Sequence, residues 1–441
     1  MGFKVEAFQN RYLAPGQTRV DAIVSVAADS TVTAKGDLVL GFIIDKSGSM
    51  AGGRIEAVRY AVARAIGMLE ERSWFFVVAF DGNAYVIVRE TRATPEAKKW
   101  AESAIEQVEA AGGTAMSTGL AAARTVFERA PNAIRQAVFL TDGKNEGEKP
   151  SAVAAELARC TGIFECDCWG VGTDWQVGEV QTIAQALLGK ASLIPSPEGV
   201  EAAFRGAMEK ASGKALKDVR FRLWTPQGAT VSFVKQVNPT IEDLTPKARE
   251  LSPQIREYMT GAWGNGETRD FHVAVDVKSG TAGEEMLAGR PSIVYLESDP
   301  SQPGRWIERE DKFPEARLFA SWTTDDSLSS RLEHHVAHYT GQDELAAAIQ
   351  EGLLAREKGD TAQATQLLGR AVKIAHASAN ADMTQRLAKV VDVVDAQQGT
   401  VRLKKDVKKA ATMDLQLESR TTMRLRRAAG AEKKDDPQGT P

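Results

Sequence analysis

The sequence predicts a Rossmann-like α/β unit, a mostly parallel sheet with helices on both faces, followed by an antiparallel β-sandwich and a C-terminal helical segment. Three observations predict it. Between Asp37 and Lys210, short apolar runs alternate with segments of helical spacing, the pattern of strands and crossover helices in a parallel sheet. From Asp218 onward, strand-like runs follow one another with turn residues between them and no intervening helix. From Ser327 the periodicity becomes helical.

Taken in order, Thr18–Ala28 alternates loosely and reads as an exposed strand. It has no obvious partner in the parallel sheet, so it is expected to join the sandwich, with the α/β unit inserted between sandwich strands. LVLGFIID, ending at Asp45, is a continuous apolar run of the kind buried on both faces of a parallel sheet. Arg54–Glu70 carries Ile55, Val58, Ala61, Val62, Ala65, Ile66 and Leu69 at helical spacing. Trp74–Phe80 and Ala84–Val88 flank Asp81-Gly82-Asn83, a hairpin signal. Pro95–Ala110 is a helix with Thr94 as its cap and Pro95 in its first position. Helices are further expected at Met116–Arg129, Ser151–Arg159, Val177–Leu188 and Glu198–Lys210. Strands are expected at Gln136–Thr141, Ile163–Val171 and Ala191–Pro195.

The sandwich strands are VRFRLW, ATVSFVKQV, ETRDFHVAVDV, PSIVYLE and ARLFASW. Helices then follow at Glu344–Lys358, Thr361–Ala377 and Asp382–Val394. The first two resemble one tetratricopeptide-type hairpin, which alone makes a cap rather than a solenoid. The implied units are residues 1–36 as strand joining the sandwich, 37–213 as the α/β unit, 214–326 as the sandwich, 327–397 as the helical cap and 398–441 as a mobile basic tail.

Composition bounds the function. The chain has 441 residues, enough for about three domains. Its net charge of -4 divides into +5 from Val401 to the end and -9 over the rest. An acidic body excludes a surface that grips nucleic acid throughout. Cys160, Cys166 and Cys168 lack disulfide-framework and zinc-knuckle spacing and read as buried, idle thiols. MGFKVEAFQN shows no signal-peptide pattern, and no apolar run approaches the roughly 20 residues of a membrane span. A cytoplasmic location is expected.

The chemistry concentrates at strand ends. Asp45-Lys46-Ser47-Gly48-Ser49 follows a buried strand and offers one carboxylate and two hydroxyls from a turning chain. Gly112-Gly113-Thr114 adds a third hydroxyl, and Thr141-Asp142-Gly143 a second carboxylate. All three loops are expected at one edge of the sheet, where ligands bind in such folds. Hard oxygen donors suit Mg²⁺ or Mn²⁺. The competing reading is a metal-free Asp/Ser/Thr cluster that caps helices. Lys46 places a positive charge beside the site, where it either assists an anionic partner or opposes the metal. No general base accompanies these residues, since all five histidines lie at or after His272, and no phosphate-binding glycine loop is present. The chain is therefore read as no enzyme. His334, His335 and His338 cluster; His334 and His338 share a helix face, as a zinc pair or as a solvated or packed hinge.

Residues from about Asp37 to Ala211 resemble a von Willebrand factor type A (VWA) domain with a complete metal-ion-dependent adhesion site, of the bacterial intracellular type. The resemblance rests on the strand before Asp45, the DKSGS loop, the AGGTAMSTGL loop and the LTDG strand end. It implies that Ser47, Ser49 and Thr114 bind Mg²⁺ (or Mn²⁺ or Ca²⁺) through their hydroxyls. Asp45 and Asp142 act largely through water or as outer acceptors, and an Asp or Glu of a protein partner completes the sphere. It also implies that the last helix of the unit, Glu198–Lys210, responds to metal coordination. The function so implied is a metal-dependent protein-interaction module or scaffold. The alternative is an adaptor of an AAA+ ATPase-driven metal-insertion or remodelling complex.

In the tail, Thr421 and Thr422 stand among arginines. The pattern suits a Ser/Thr kinase, and a phosphothreonine three residues before an aliphatic one resembles ligands of forkhead-associated (FHA) domains. Against these stands a merely solvating tail. RNA or lipid binding is weakened by the tail's own acidic residues and its lack of aromatics.

Overall fold

The computed structural model describes residues 2–29, 37–196, 199–299, 301–302 and 305–425. The chain opens with β1 (Phe3–Gln9), β2 (Tyr12–Leu13) and β3 (Arg19–Ala28). It then builds the α/β unit: β4 (Leu38–Asp45), α1 (Gly53–Gly67), β5 (Trp74–Phe80), β6 (Ala84–Arg92), α2 (Pro95–Glu106), α3 (Met116–Phe127), β7 (Ile134–Thr141), α4 (Pro150–Cys160), β8 (Glu165–Val171), α5 (Val177–Ala186), β9 (Ala191–Ile194) and α6 (Val200–Ser212). The strands lie in the order β6-β5-β4-β7-β8-β9, with all neighbours parallel except the β5–β6 hairpin. Side-chain alternation along β4 explains why it has no polar face. Leu40, Phe42 and Ile44 pack under α1, α2 and α6, while Val39 and Ile43 pack under α3, α4 and α5. Thr94 caps α2 by accepting from the Ala97 N–H, as its sequence predicts.

The sandwich is completed by β10 (Lys214–Trp224), β11 (Thr230–Asn238), β12 (Glu242–Asp243), β13 (Arg249–Ser252), β14 (Ile255–Gly264), β15 (Thr268–Asp276), β16 (Glu285–Ser298), β17 (Trp306–Lys312) and β18 (Leu318–Trp322). One sheet runs β1-β3-β15-β11-β12; the other runs β13-β14-β10-β16-β18-β2, with β17 paired to β16. The α/β unit is thus inserted between β3 and β10. The early strand differs from its expected exposure. β3 lies between β1 and β15, and its outward residue Ile23 is covered by Val336 and Tyr339 of the next helical region.

That region comprises α7 (Asp326–Ser329), α8 (His334–Glu357), α9 (Thr361–Ala377), α10 (Ala381–Leu387), the hairpin β19 (Val391–Asp395) and β20 (Thr400–Leu403), and α11 (Lys409–Glu418). Two expectations are corrected here. The helix expected over Asp382–Val394 stops at Leu387, because the β-branched run VDVV pairs with β20 across a turn at Gly399, whose φ is +74°. The tail expected to be mobile from residue 398 is ordered through residue 425, because α11 buries Met413 and Leu417 in the α/β core and Leu415 in the helical core. Residues 426–441 lie outside the described residues. All three cysteines are buried and unbridged. No helix among the described residues is long and apolar enough to cross a membrane.

The inserted unit is fastened to the sandwich at the amino ends of its strands. Glu165, at the start of β8, accepts the backbone N–H of Ala262. Lys217 and the Trp306 indole donate to the carbonyls of Pro131 and Asn132, just before β7. Only Gly213 separates α6 from β10. At that joint, Glu267 pairs with Lys214 at 3.4 Å and with Arg269 at 2.6 Å, and accepts the Gly264 N–H at 2.8 Å. Burial raises the Glu267 carboxyl, but these cations and the backbone donor outweigh it and hold the group at about 2. Its stabilisation is therefore present at neutral pH and lost as pH falls from about 4.5 toward 2. Glu267→Gln is expected to lower stability at pH 7 by up to about 3 kcal/mol. The deficit should shrink as pH falls toward 2, followed by denaturant melts of both proteins across that range.

Candidate metal centre

β4 and β7 are neighbours at the centre of the sheet, and their carboxyl ends place Asp45 and Thr141 side by side. Asp45 is fully buried; its two oxygens accept the Ser47 N–H at 2.8 Å and the Thr141 hydroxyl at 2.5 Å. Burial pushes its carboxyl up to about 6, aided by the nearby charge of Asp142 and opposed by the bonds from Ser47 and Thr141.

Backbone bonds then draw the loops together. Gly48 N–H donates to the Gly112 carbonyl at 3.0 Å and Ala111 N–H to the Lys46 carbonyl at 2.7 Å. Gly112 has φ +85°, and a Cβ there would stand 3.1 Å from the Asp81 side chain, so the close pairing demands glycine. Ala115 N–H donates to the Asp81 carbonyl, fixing the approach to α3. The loop after β7 completes the hold on Thr114: Gly147 N–H donates to its carbonyl at 2.8 Å, and Glu148 accepts the Ser117 N–H at 2.8 Å and the Ser117 hydroxyl.

The predicted residues converge. Ser47 Oγ and Ser49 Oγ are 3.1 Å apart, and Ser49 Oγ donates to Asp142 at 2.7 Å. A Cβ placed on Gly143 would lie 3.3 Å from both Ser49 Oγ and Thr114 Oγ1 and 3.9 Å from an Asp45 oxygen. This absent side chain leaves a small cradle walled by hydroxyl and carboxylate oxygens. The donor set fits a hard divalent cation. It is also hydroxyl-rich. Among the described residues, no group of three or more His, Cys, Asp or Glu is placed to hold a metal. Ser47, Ser49 and Thr114, with Asp45 and Asp142 behind them, are the residues that would hold the ion. Lys46 faces away from this choice: its ammonium sits 2.5 Å from Asp81 and 5.0 Å from the Tyr85 ring centroid. That contact outweighs burial and holds the Asp81 carboxyl below its ordinary value.

Sequence spacing did not point to Arg54, Glu148 or the Thr141 hydroxyl. Arg54 bonds Asp142 and, at 2.8 Å, Asp174. Its only signal was a cation in the first turn after Gly52-Gly53, where a helix start ordinarily favours acids.

The other candidates sit elsewhere. His335 stacks on Phe8 at 3.6 Å and bonds Glu333 at 3.0 Å, while His338 lies 2.8 Å from the Met423 carbonyl, so both histidines have structural partners. Thr421 and Thr422 belong to a strap that crosses the sandwich. Thr421 bridges Thr240, and its hydroxyl donates to Glu418 at 2.8 Å; the Thr422 hydroxyl donates to the Val237 carbonyl at 2.6 Å.

The pattern of the von Willebrand factor type A domain matches residues 40–145, and that of the VWA C-terminal domain matches residues 373–419. A solved structure, a von Willebrand factor type A protein from Catenulispora acidiphila, is 40% identical with a TM-score of 0.88, covering 96% of this chain and 97% of that one. The chain belongs to the von Willebrand factor type A family. VWA proteins generally mediate protein–protein interactions, and their domains often bind a divalent cation at the adhesion site. The ArnB paralog VWA2 from Sulfolobus acidocaldarius shares the fold at 13% identity and a TM-score of 0.59, over 96% of this chain and 99% of that one. Among curated relatives, a Synechocystis protein is 28% identical over 50% of this chain, and human inter-alpha-trypsin inhibitor heavy chain H3 is 23% identical over 67% of it. The matches span 53% and 33% of those relatives' lengths.

A raised carboxyl at a buried site makes ionisation a cost to the metal-free fold. That stability is present below the ordinary carboxylate value and is lost as pH rises through about 6. In chelator at pH 7, Asp45→Asn is expected to raise the melting temperature, by no more than about 3 kcal/mol of stability. The gain should disappear near pH 4, as thermal melts at both pH values would show.

Proposed function

We propose that this VWA protein is a metal-dependent interaction module that captures an Asp or Glu side chain of a protein partner. The observation that carries the reading is the cradle at Gly143, bounded by Ser49, Thr114 and Asp45 oxygens with Ser47 and Asp142 adjoining. When bound there, a Mg²⁺-type ion supplies an open coordination position for an oxygen anion. The chain's part is to hold the ion largely on neutral hydroxyls, leaving much of its charge for an incoming carboxylate. Asp45 is kept behind by its two internal hydrogen bonds. The rim is opposite the fastening to the sandwich, so it faces a partner while the sandwich and helical region hold the unit.

Titration calorimetry with Mg²⁺ and Mn²⁺ tests this. Binding is expected in the wild type and absent in Asp45→Ala. Gly143→Ala removes no donor but fills the cradle, and should weaken binding tenfold or more, on the order of the loss when ligand positioning is disturbed. Equal metal affinity in wild type and Asp45→Ala would overturn the reading.

The route from this site to the sandwich runs through α6. Phe204 of α6 packs on Phe42 of β4 and Trp169 of β8, at 5.6 and 4.7 Å between ring centroids. Metal binding is expected to change hydrogen exchange over residues 200–213; unaltered exchange there would separate the site from the sandwich. Phosphorylation of Thr421 or Thr422, for an FHA-type reader, requires release of the strap, because the hydroxyls of both residues are spent on internal bonds.

A further inference from the structure

Arg54, in the first turn of α1, lies against the metal site rather than pointing to solvent. One guanidinium nitrogen donates to Asp142 and, at 3.3 Å, to the Ser49 carbonyl. The other donates to Asp174 at 2.8 Å. The two carboxylates differ: Asp142 is fully buried, whereas the Asp174 side chain is 61% exposed. The remaining Asp142 oxygen accepts the Ser49 hydroxyl at 2.7 Å. Asp142 thus has its charge compensated from within the chain before any ion arrives.

We propose that Arg54 is a resident competitor for the metal: it stands in for the cation in the metal-free protein and yields Asp142 when the ion binds, while Asp174 retains it. The inference rests on the metal reading above. An arginine cannot shed its proton to make way, so its charge must move or be shared. A divalent ion using Ser49 and the Asp142 region meets that positive charge at close range, and the repulsion lowers affinity. The mainly exposed Asp174 offers a partner that the guanidinium keeps without blocking the cradle. Gly172, φ +74°, borders the guanidinium closely: a Cβ there would stand 3.7 Å from it, in van der Waals contact.

The two ends of this clamp have opposite effects, which separates it from a merely structural role. Arg54→Gln should bind Mg²⁺ roughly tenfold more tightly than wild type at low ionic strength. Its metal-free form should melt lower, and its melting temperature should rise more on saturation with Mg²⁺. Asp174→Asn removes the retaining partner and leaves Arg54 on Asp142, so it should bind Mg²⁺ several-fold more weakly. Calorimetry and thermal melts of wild type, Arg54→Gln, Asp174→Asn and Asp45→Ala in one buffer decide it. Mg²⁺ affinity in Arg54→Gln no higher than wild type, with binding still abolished by Asp45→Ala, overturns the competitor alone. If Arg54→Gln does not fold, unchanged or tighter binding by Asp174→Asn overturns it. No binding by wild type overturns both this inference and the metal site.

Discussion

The buried Asp45 carboxylate is the constraint on which the site depends. It ends a strand that has no polar face, so it enters the loop already desolvated. Its two internal hydrogen bonds offset part of that cost and orient the chain at once. The bond from the Ser47 N–H turns the backbone so that Ser47 and Ser49 follow side by side, and the bond from Thr141 ties β4 to the end of β7. Ionised Asp45 is tolerated rather than favoured, as its raised carboxyl shows. A cation at the cradle would relieve what the fold alone leaves uncompensated.

Around this carboxylate, most charged groups near the rim are taken by partners inside the chain. Lys46 is held by Asp81, Asp142 by Arg54, and the start of α3 by Glu148. The hydroxyls are left as the adaptable donors. Precision comes from backbone pairing between the loops at residues 46–48 and 111–112, a rigid device that does not depend on any one side chain.

Much of this was legible because local and global signals agree. LVLGFIID reads as a doubly buried strand, Asp81-Gly82-Asn83 as a turn, and Thr94-Pro95 as a helix start, and each is so used. What was hidden depends on distant partners. β14 is absent from the strands expected from sequence, and its charged start is explained only by distant partners: in the sandwich, Glu257 is buried against Arg220 and Arg222. The strap was read as loose because its order comes from contacts such as Thr422 with Val237, 185 positions away. The motif pointed to five donors, yet spacing has no means of showing that Arg54 folds back onto Asp142 or that Glu148 fixes the start of α3 at Ser117.

The insertion of one unit inside another also sets an order of events during synthesis. His272 on β15 meets Asp21 on β3 across 251 residues. At translation rates of about 5–20 residues per second, β3 emerges roughly 10–50 seconds before that neighbour. The α/β unit is made within that interval, and once β9 has emerged at Ile194 it has all its own strands and can close. β1 and β3 meanwhile form an apolar ribbon lacking the sheet they will join. The nascent chain therefore passes through a stage with a finished α/β unit and an open, sticky base, and a chaperone acting on this protein would find its target in β1 and β3 rather than in the domain that follows them.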